Sequence, residues 1–137
     1  MLLSEVLANG AYHRHLGELR KRYLEKLESM LAALDKGLGS LADRVVWTRP
    51  DGGLYVWLHL PESIRTGFGE PFCERCIATG VLYVPGEICY PREYPRIPRS
   101  ALRLSFGAQT IAKIEEGIAR LCAVVHEFLD QPAKKRR

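Results

Sequence analysis

The chain has 137 residues, 47% of them apolar and 26% charged, which fits one soluble domain with a core of its own. No apolar run approaches membrane-spanning length, and Met1-Leu2-Leu3-Ser4-Glu5 meets a carboxylate too early for a signal peptide, so a cytoplasmic protein is expected. Lys134, Lys135, Arg136 and Arg137 account for the excess of 20 basic over 16 acidic residues, so the body is neutral and residues 131–137 read as a solvated, disordered tail behind a domain spanning 1–130.

In chain order, the first element is a long helix. Leu16, Leu19, Tyr23, Leu27, Met30, Leu31 and Leu34 follow helical spacing between Tyr12 and Leu38, with a break expected near Asn9-Gly10 and a stop at Gly37 and Gly39. This helix is longer than a small domain needs, and is expected to extend from, or pack on, something outside it.

Arg44–Arg49 reads as a short strand, Pro50-Asp51-Gly52-Gly53 as a turn, and Leu54–Leu60 as a second strand pairing back on the first. Alternation gives the second strand an aliphatic face of Leu54, Val56, Leu58 and Leu60 and an opposite face of Tyr55, Trp57 and His59. A helix carrying Phe72, Cys76 and Ile77 closes at Gly80. The segment Val81–Val84 reads as a strand stopped by Pro85-Gly86, and Tyr90–Pro98 as a loop because of its three prolines. The last helix, capped by Thr110, has a core stripe of Ile111, Ile114, Ile118, Leu121, Cys122, Val125, Phe128 and Leu129.

Cys73 and Cys76 form a C-x-x-C within the predicted helix, while Cys89 and Cys122 are isolated in sequence. A zinc site needs two further ligands, normally a second close pair, so no metal is expected. Buried free cysteine behaves as a small hydrophobe, which is the simpler role here, with a redox C-x-x-C left open.

Between the loop and the last helix, Ala101–Phe106 alternates as a strand, with Leu102, Leu104 and Phe106 on one face and Arg103 and Ser105 on the other. A guanidinium held on a strand beside a core is costly unless an anion meets it, and its planar fork suits a carboxylate. From the local sequence, an edge-strand arginine facing water or pairing with a nearby Glu is the alternative. The element order gives an α+β layer fold: a small, mainly antiparallel sheet covered on one face by helices and preceded by a long helix. The uncovered face would then carry Tyr55, Trp57, Arg103 and Ser105 together, an arrangement that invites docking.

The motifs Pro50-Asp51-Gly52-Gly53-Leu54-Tyr55-Val56-Trp57, Gly80-Val81-Leu82-Tyr83-Val84-Pro85-Gly86, Leu102-Arg103-Leu104-Ser105-Phe106 and Ile114-Glu115-Glu116-Gly117-Ile118, in this order, resemble one family. It is the C-terminal small domain of fold-type I, class I/II aminotransferases that depend on pyridoxal 5'-phosphate. The subgroup is the 2-aminoadipate and kynurenine type, with GntR/MocR regulators related. Gly10-Ala11-Tyr12-His13-Arg14-His15-Leu16 resembles the long helix leading into that domain.

The resemblance implies transfer of an amino group between an amino acid and a 2-oxo acid. Arg103 would bind the substrate α-carboxylate, with Tyr55 beside the substrate. Trp57, Gly52, Gly53, Pro85 and Gly86 would be structural. The Schiff-base lysine, the acidic partner of the pyridine nitrogen and the phosphate-binding loop would lie in a large domain preceding Met1, so this chain would supply recognition without catalytic residues. The resemblance also implies amino-acid metabolism or biosynthesis and a homodimer when intact. The alternative is the effector-binding domain of a GntR/MocR-type regulator behind a DNA-binding winged helix. A freestanding module binding nucleic acid on the aromatic face is opposed by the neutral body.

Overall fold

A computed structural model describes residues 7, 8, 10–91 and 93–130. The tail expected over 131–137, the first residues 1–6 and Asn9 of the expected break lie outside the described residues. Helix α1 spans Ala11–Leu38 and begins directly after Gly10, whose φ of 73° is left-handed. Only Leu27, Met30, Leu34 and Leu38 of α1 are buried, so its C-terminal half holds the core and its N-terminal half reaches past it.

The stop expected at Gly37 and Gly39 falls at Gly39 and not at Gly37. It runs through Gly37 to Leu38 and tightens into a 3-10 turn at Gly39–Leu41. Gly37 has a packing role instead: a Cβ there would lie 2.5 Å from the Cys122 sulfur. The missing side chain lets the last helix, α3 (Ile111–Asp130), approach closely, and His126 Nε2 lies 2.9 Å from Gly37 O across the same contact.

Four strands form one antiparallel sheet in the order β1-β2-β4-β3: β1 Val46–Trp47, β2 Tyr55–His59, β3 Val84–Pro85 and β4 Ala101–Ser105. The β1 and β2 hairpin forms as expected but is shorter at its ends, with Val46 opposite His59 and Trp47 opposite Leu58. On the covered face Val56, Leu58, Leu102 and Leu104 join the α1 and α3 residues in one buried cluster.

Helix α2 spans Pro71–Ala78, with Pro71 at its first position where no N–H is required. It buries Phe72, Cys73 and Cys76. Ile77, on the same helix, is 46% exposed because it falls on the outer side.

The strand expected over Val81–Val84 is reduced to Val84–Pro85. Val81 and Tyr83 turn inward while Leu82 is 79% exposed. The Tyr83 hydroxyl donates to Thr66 O at 2.8 Å, which draws this segment towards the Thr66 loop before β3 starts. The strand stops at Pro85-Gly86 as expected, Pro85 being its last residue, opposite Leu102 at an edge position where a residue lacking N–H is tolerated. Gly86 passes so close to β4 that a Cβ would lie 2.7 Å from Ala101 O.

Helix α3 is capped as expected, Thr110 Oγ1 accepting from Lys113 N at 3.4 Å. Of its stripe, Ile114, Ile118, Leu121, Cys122 and Val125 are buried, together with Val124, while Ile111 is exposed at the first turn. No described helix is long and apolar enough to cross a membrane.

Candidate functional site

Arg103 sits in the middle of β4, and β4 is an inner strand. Its Cα partners are Trp57 on β2 and Val84 on β3, so the backbone is fixed from both sides. This removes the edge-strand alternative, and no acidic side chain pairs with Arg103 among the described residues.

The guanidinium is instead laid over an aromatic ring. Arg103 Cζ is 4.2 Å from the ring centroid of Tyr55. Tyr55 pairs with Ser105, so it is the diagonal neighbour of Arg103 across β2 and β4, within reach of two long side chains. The ring holds the cation by its quadrupole and leaves the N–H fork free to bond elsewhere.

Arg103 Nε is buried and has no hydrogen-bond partner. A buried charged donor without an acceptor is expensive, and native structures rarely leave one unexplained. An oxyanion in the plane of the guanidinium would be a partner able to satisfy it. The expected grouping of Tyr55, Trp57, Arg103 and Ser105 on one face is what β2 and β4 present through their register.

An aromatic run borders this face. Trp57 stacks on His59 with centroids 6.3 Å apart and meets Tyr90 edge-on at 6.0 Å, and Tyr90 meets Tyr94 at 5.1 Å. Sequence reasoning did not assign Tyr90 and Tyr94 a place. Their tyrosine and proline spacing in a loop carries no periodic signal, and only the return of the loop onto Trp57 reveals it.

The remaining polar chemistry lies elsewhere. Cys73, Cys76 and Cys122 are buried and Cys89 is half-buried, all as free thiols. Burial pushes the Cys76 thiol up to about 12, with the neighbouring Cys73 adding to it, and Cys122 up to about 11. Burial, helped by a hydrogen bond with Cys73, also holds the Tyr83 phenol above its usual range. Lys26, partly buried, donates to Gly107 O at 2.8 Å, while Lys21, Lys36 and Lys113 are exposed.

No family model matches the sequence. The aromatic-amino-acid aminotransferase 1 of Thermococcus litoralis is 36% identical over 118 residues, covering 86% of this chain and 26% of that protein. The 2-aminoadipate transaminase of Thermus thermophilus is 33% identical over 121 residues, covering 88% of this chain and 28% of that protein. Among solved structures, an alpha-aminoadipate aminotransferase of Thermus thermophilus, complexed with N-(5'-phosphopyridoxyl)-L-leucine, superposes with a TM-score of 0.77 at 32% identity. That match covers 94% of this chain and 31% of the other. HTH-type transcriptional regulators also match, such as YisV of Bacillus subtilis at 27% identity over 115 residues, 84% of this chain and 22% of that regulator. The chain spans about a quarter of the length of the curated relatives it matches.

Proposed function

We propose, from homology to aminotransferases and the fold of their C-terminal small domain, that this chain is the substrate-recognition part of a pyridoxal-phosphate-dependent aminotransferase. The whole protein would move an amino group between an amino acid and a 2-oxo acid. The observation that carries the reading is the buried, unpartnered Nε of Arg103 on a guanidinium already braced by Tyr55.

In this reading Arg103 takes the α-carboxylate that every amino-acid substrate and 2-oxo product presents. Two parallel N–H···O bonds fix both the position and the plane of the carboxylate. Tyr55 restrains the guanidinium against the sheet, so less freedom is lost when the substrate arrives. Placement of the substrate in a fixed orientation is itself a large part of catalysis.

Pyridoxal 5'-phosphate supplies the electron sink of such reactions when bound. The described residues do not fit it: Lys26 is engaged with Gly107 O, and Lys21, Lys36 and Lys113 are exposed. In this reading the cofactor would be held mainly by a large domain outside this chain, whose own share would be recognition of substrate. The reading carries with it a homodimeric cytoplasmic enzyme whose small domain spans 1–130.

The regulator matches support a second reading, in which Arg103 grips the carboxylate of an effector. The full-length protein separates the two. The enzyme reading expects a visible cofactor absorption band and turnover of amino acids, lost in Arg103→Ala. A basic winged-helix module upstream, with cofactor bound and no amino-group transfer, overturns it in favour of the regulator.

A further inference from the structure

A second cationic feature lies just ahead of β4, where the loop leading into that strand meets the loop that follows β2. Glu62, Arg65, Arg96, Ile97, Pro98, Arg99 and Ser100 line a surface cavity of about 290 Å³. Three arginines and one glutamate are therefore among its lining residues.

The two loops forming the cavity are joined by backbone bonds. Leu60 N donates to Ser100 O and Thr66 N to Arg99 O, both at 2.9 Å. Thr66 is the one buried polar residue among those described, at 0% exposure. Its hydroxyl lies 2.7 Å from Ala101 O and 3.2 Å from Arg99 O. Because Thr66 N bonds Arg99 O, the backbones that carry Arg65 and Arg99 are held side by side on a fixed base.

The acidic side chains nearby neutralise this cluster poorly. Arg65 lies 3.8 Å from Glu70, and Arg96 lies 3.2 Å from Glu62 with both side chains more than four-fifths exposed. Such exposed pairs contribute little and exchange readily. Arg99 has no ion pair or side-chain hydrogen bond among the described residues.

We propose that this cavity binds the phosphoryl group of a small phosphorylated metabolite. Arg99 is unpaired among the described residues, and the pairs of Arg65 with Glu70 and of Arg96 with Glu62 are exposed and readily exchanged, so an oxyanion can compete for all three guanidiniums. Guanidinium forks bond oxyanions two oxygens at a time, and a phosphoryl group offers three acceptor oxygens where a carboxylate offers two. The cavity is also roomier than one phosphate requires, which leaves space for the body of the ligand. The cavity uses neither Arg103 nor Tyr55, and the proposal does not depend on the proposed transamination.

The test is titration of the full chain with inorganic pyrophosphate at low ionic strength, followed by calorimetry. Saturable binding is expected. It should weaken about tenfold in Arg99→Gln and again in Arg96→Gln, as each charged hydrogen-bonding group is lost. It should fade as salt approaches physiological strength or above. Arg103→Gln serves as the control and should bind pyrophosphate as the native chain does. These arginines are exposed, so the substitutions leave the core intact. Absence of saturable binding overturns the proposal. So does unchanged affinity in Arg99→Gln, or loss of binding in Arg103→Gln alone.

Discussion

Tyr55 and Arg103 are diagonal neighbours on adjacent strands, and the guanidinium carbon lies 4.2 Å from the centre of the tyrosine ring. The cation is thus held by a ring face, an interaction that does not consume its hydrogen-bonding fork. Tyr55→Phe keeps the face and should leave the KM for amino acid in the full-length enzyme close to native. Tyr55→Leu removes it, and should raise KM by the equivalent of about 0.5–2 kcal/mol. Equal KM values for the two variants would show that the ring does not brace Arg103.

Thr66 joins the start of β4 to the preceding loop through its hydroxyl, and its carbonyl accepts from Tyr83. Thr66→Val keeps the shape and removes the buried hydroxyl bond to Ala101 O, while Arg99 O keeps the Thr66 N–H. A loss of about 1–3 kcal/mol is expected. A lower urea midpoint at unchanged m-value is the measurement that checks it.

Gly37 permits the approach of α3 to α1. An added Cβ would lie 2.5 Å from the Cys122 sulfur and 2.9 Å from its Cβ, so Gly37→Ala should cost about 1–3 kcal/mol by overpacking. Adding Cys122→Ala removes the sulfur and should recover part of that loss. A double-mutant cycle by thermal unfolding reads the coupling, and additive effects would contradict it.

The buried thiols make stability fall in alkali. Cys76 is raised from 9.0 to about 12 and Cys122 from 9.0 to about 11, chiefly by burial. The folded chain therefore keeps protons that the unfolded chain releases. Their contribution is full below pH 9 and is lost as pH rises from there through 11 and 12. Urea midpoints should decline over this window, and less steeply in a Cys76→Ala, Cys122→Ala variant. At pH 8 a thiol reagent should reach half-buried Cys89 before either of them.

Much of this was legible from local sequence. Period-two alternation in Tyr55–His59 and Ala101–Ser105 put Tyr55, Trp57, Arg103 and Ser105 on one face before any pairing was known, because a pleated strand allows no other arrangement. What local pattern could not show was any role set by a distant partner. Gly37 carries the signature of a helix stop, yet its purpose is contact with Cys122, far along the chain. Val81–Tyr83 has strand composition, but only Val84 and Pro85 pair with β4, and Tyr83 turns inward to bond Thr66 O. Thr66, Arg65, Arg96 and Arg99 are unremarkable polar residues in sequence, and become a cluster only when the two loops pair.

The most direct test of the central claim is kcat/KM of full-length Arg103→Gln for an amino acid, compared with an amine that lacks the α-carboxylate. Loss of two charged hydrogen bonds should lower kcat/KM for the amino acid about a hundredfold or more, and leave the amine almost unchanged. Equal effects on both substrates, or a rate for the amino acid within about twofold of native, would contradict the assignment of Arg103 as the carboxylate clamp.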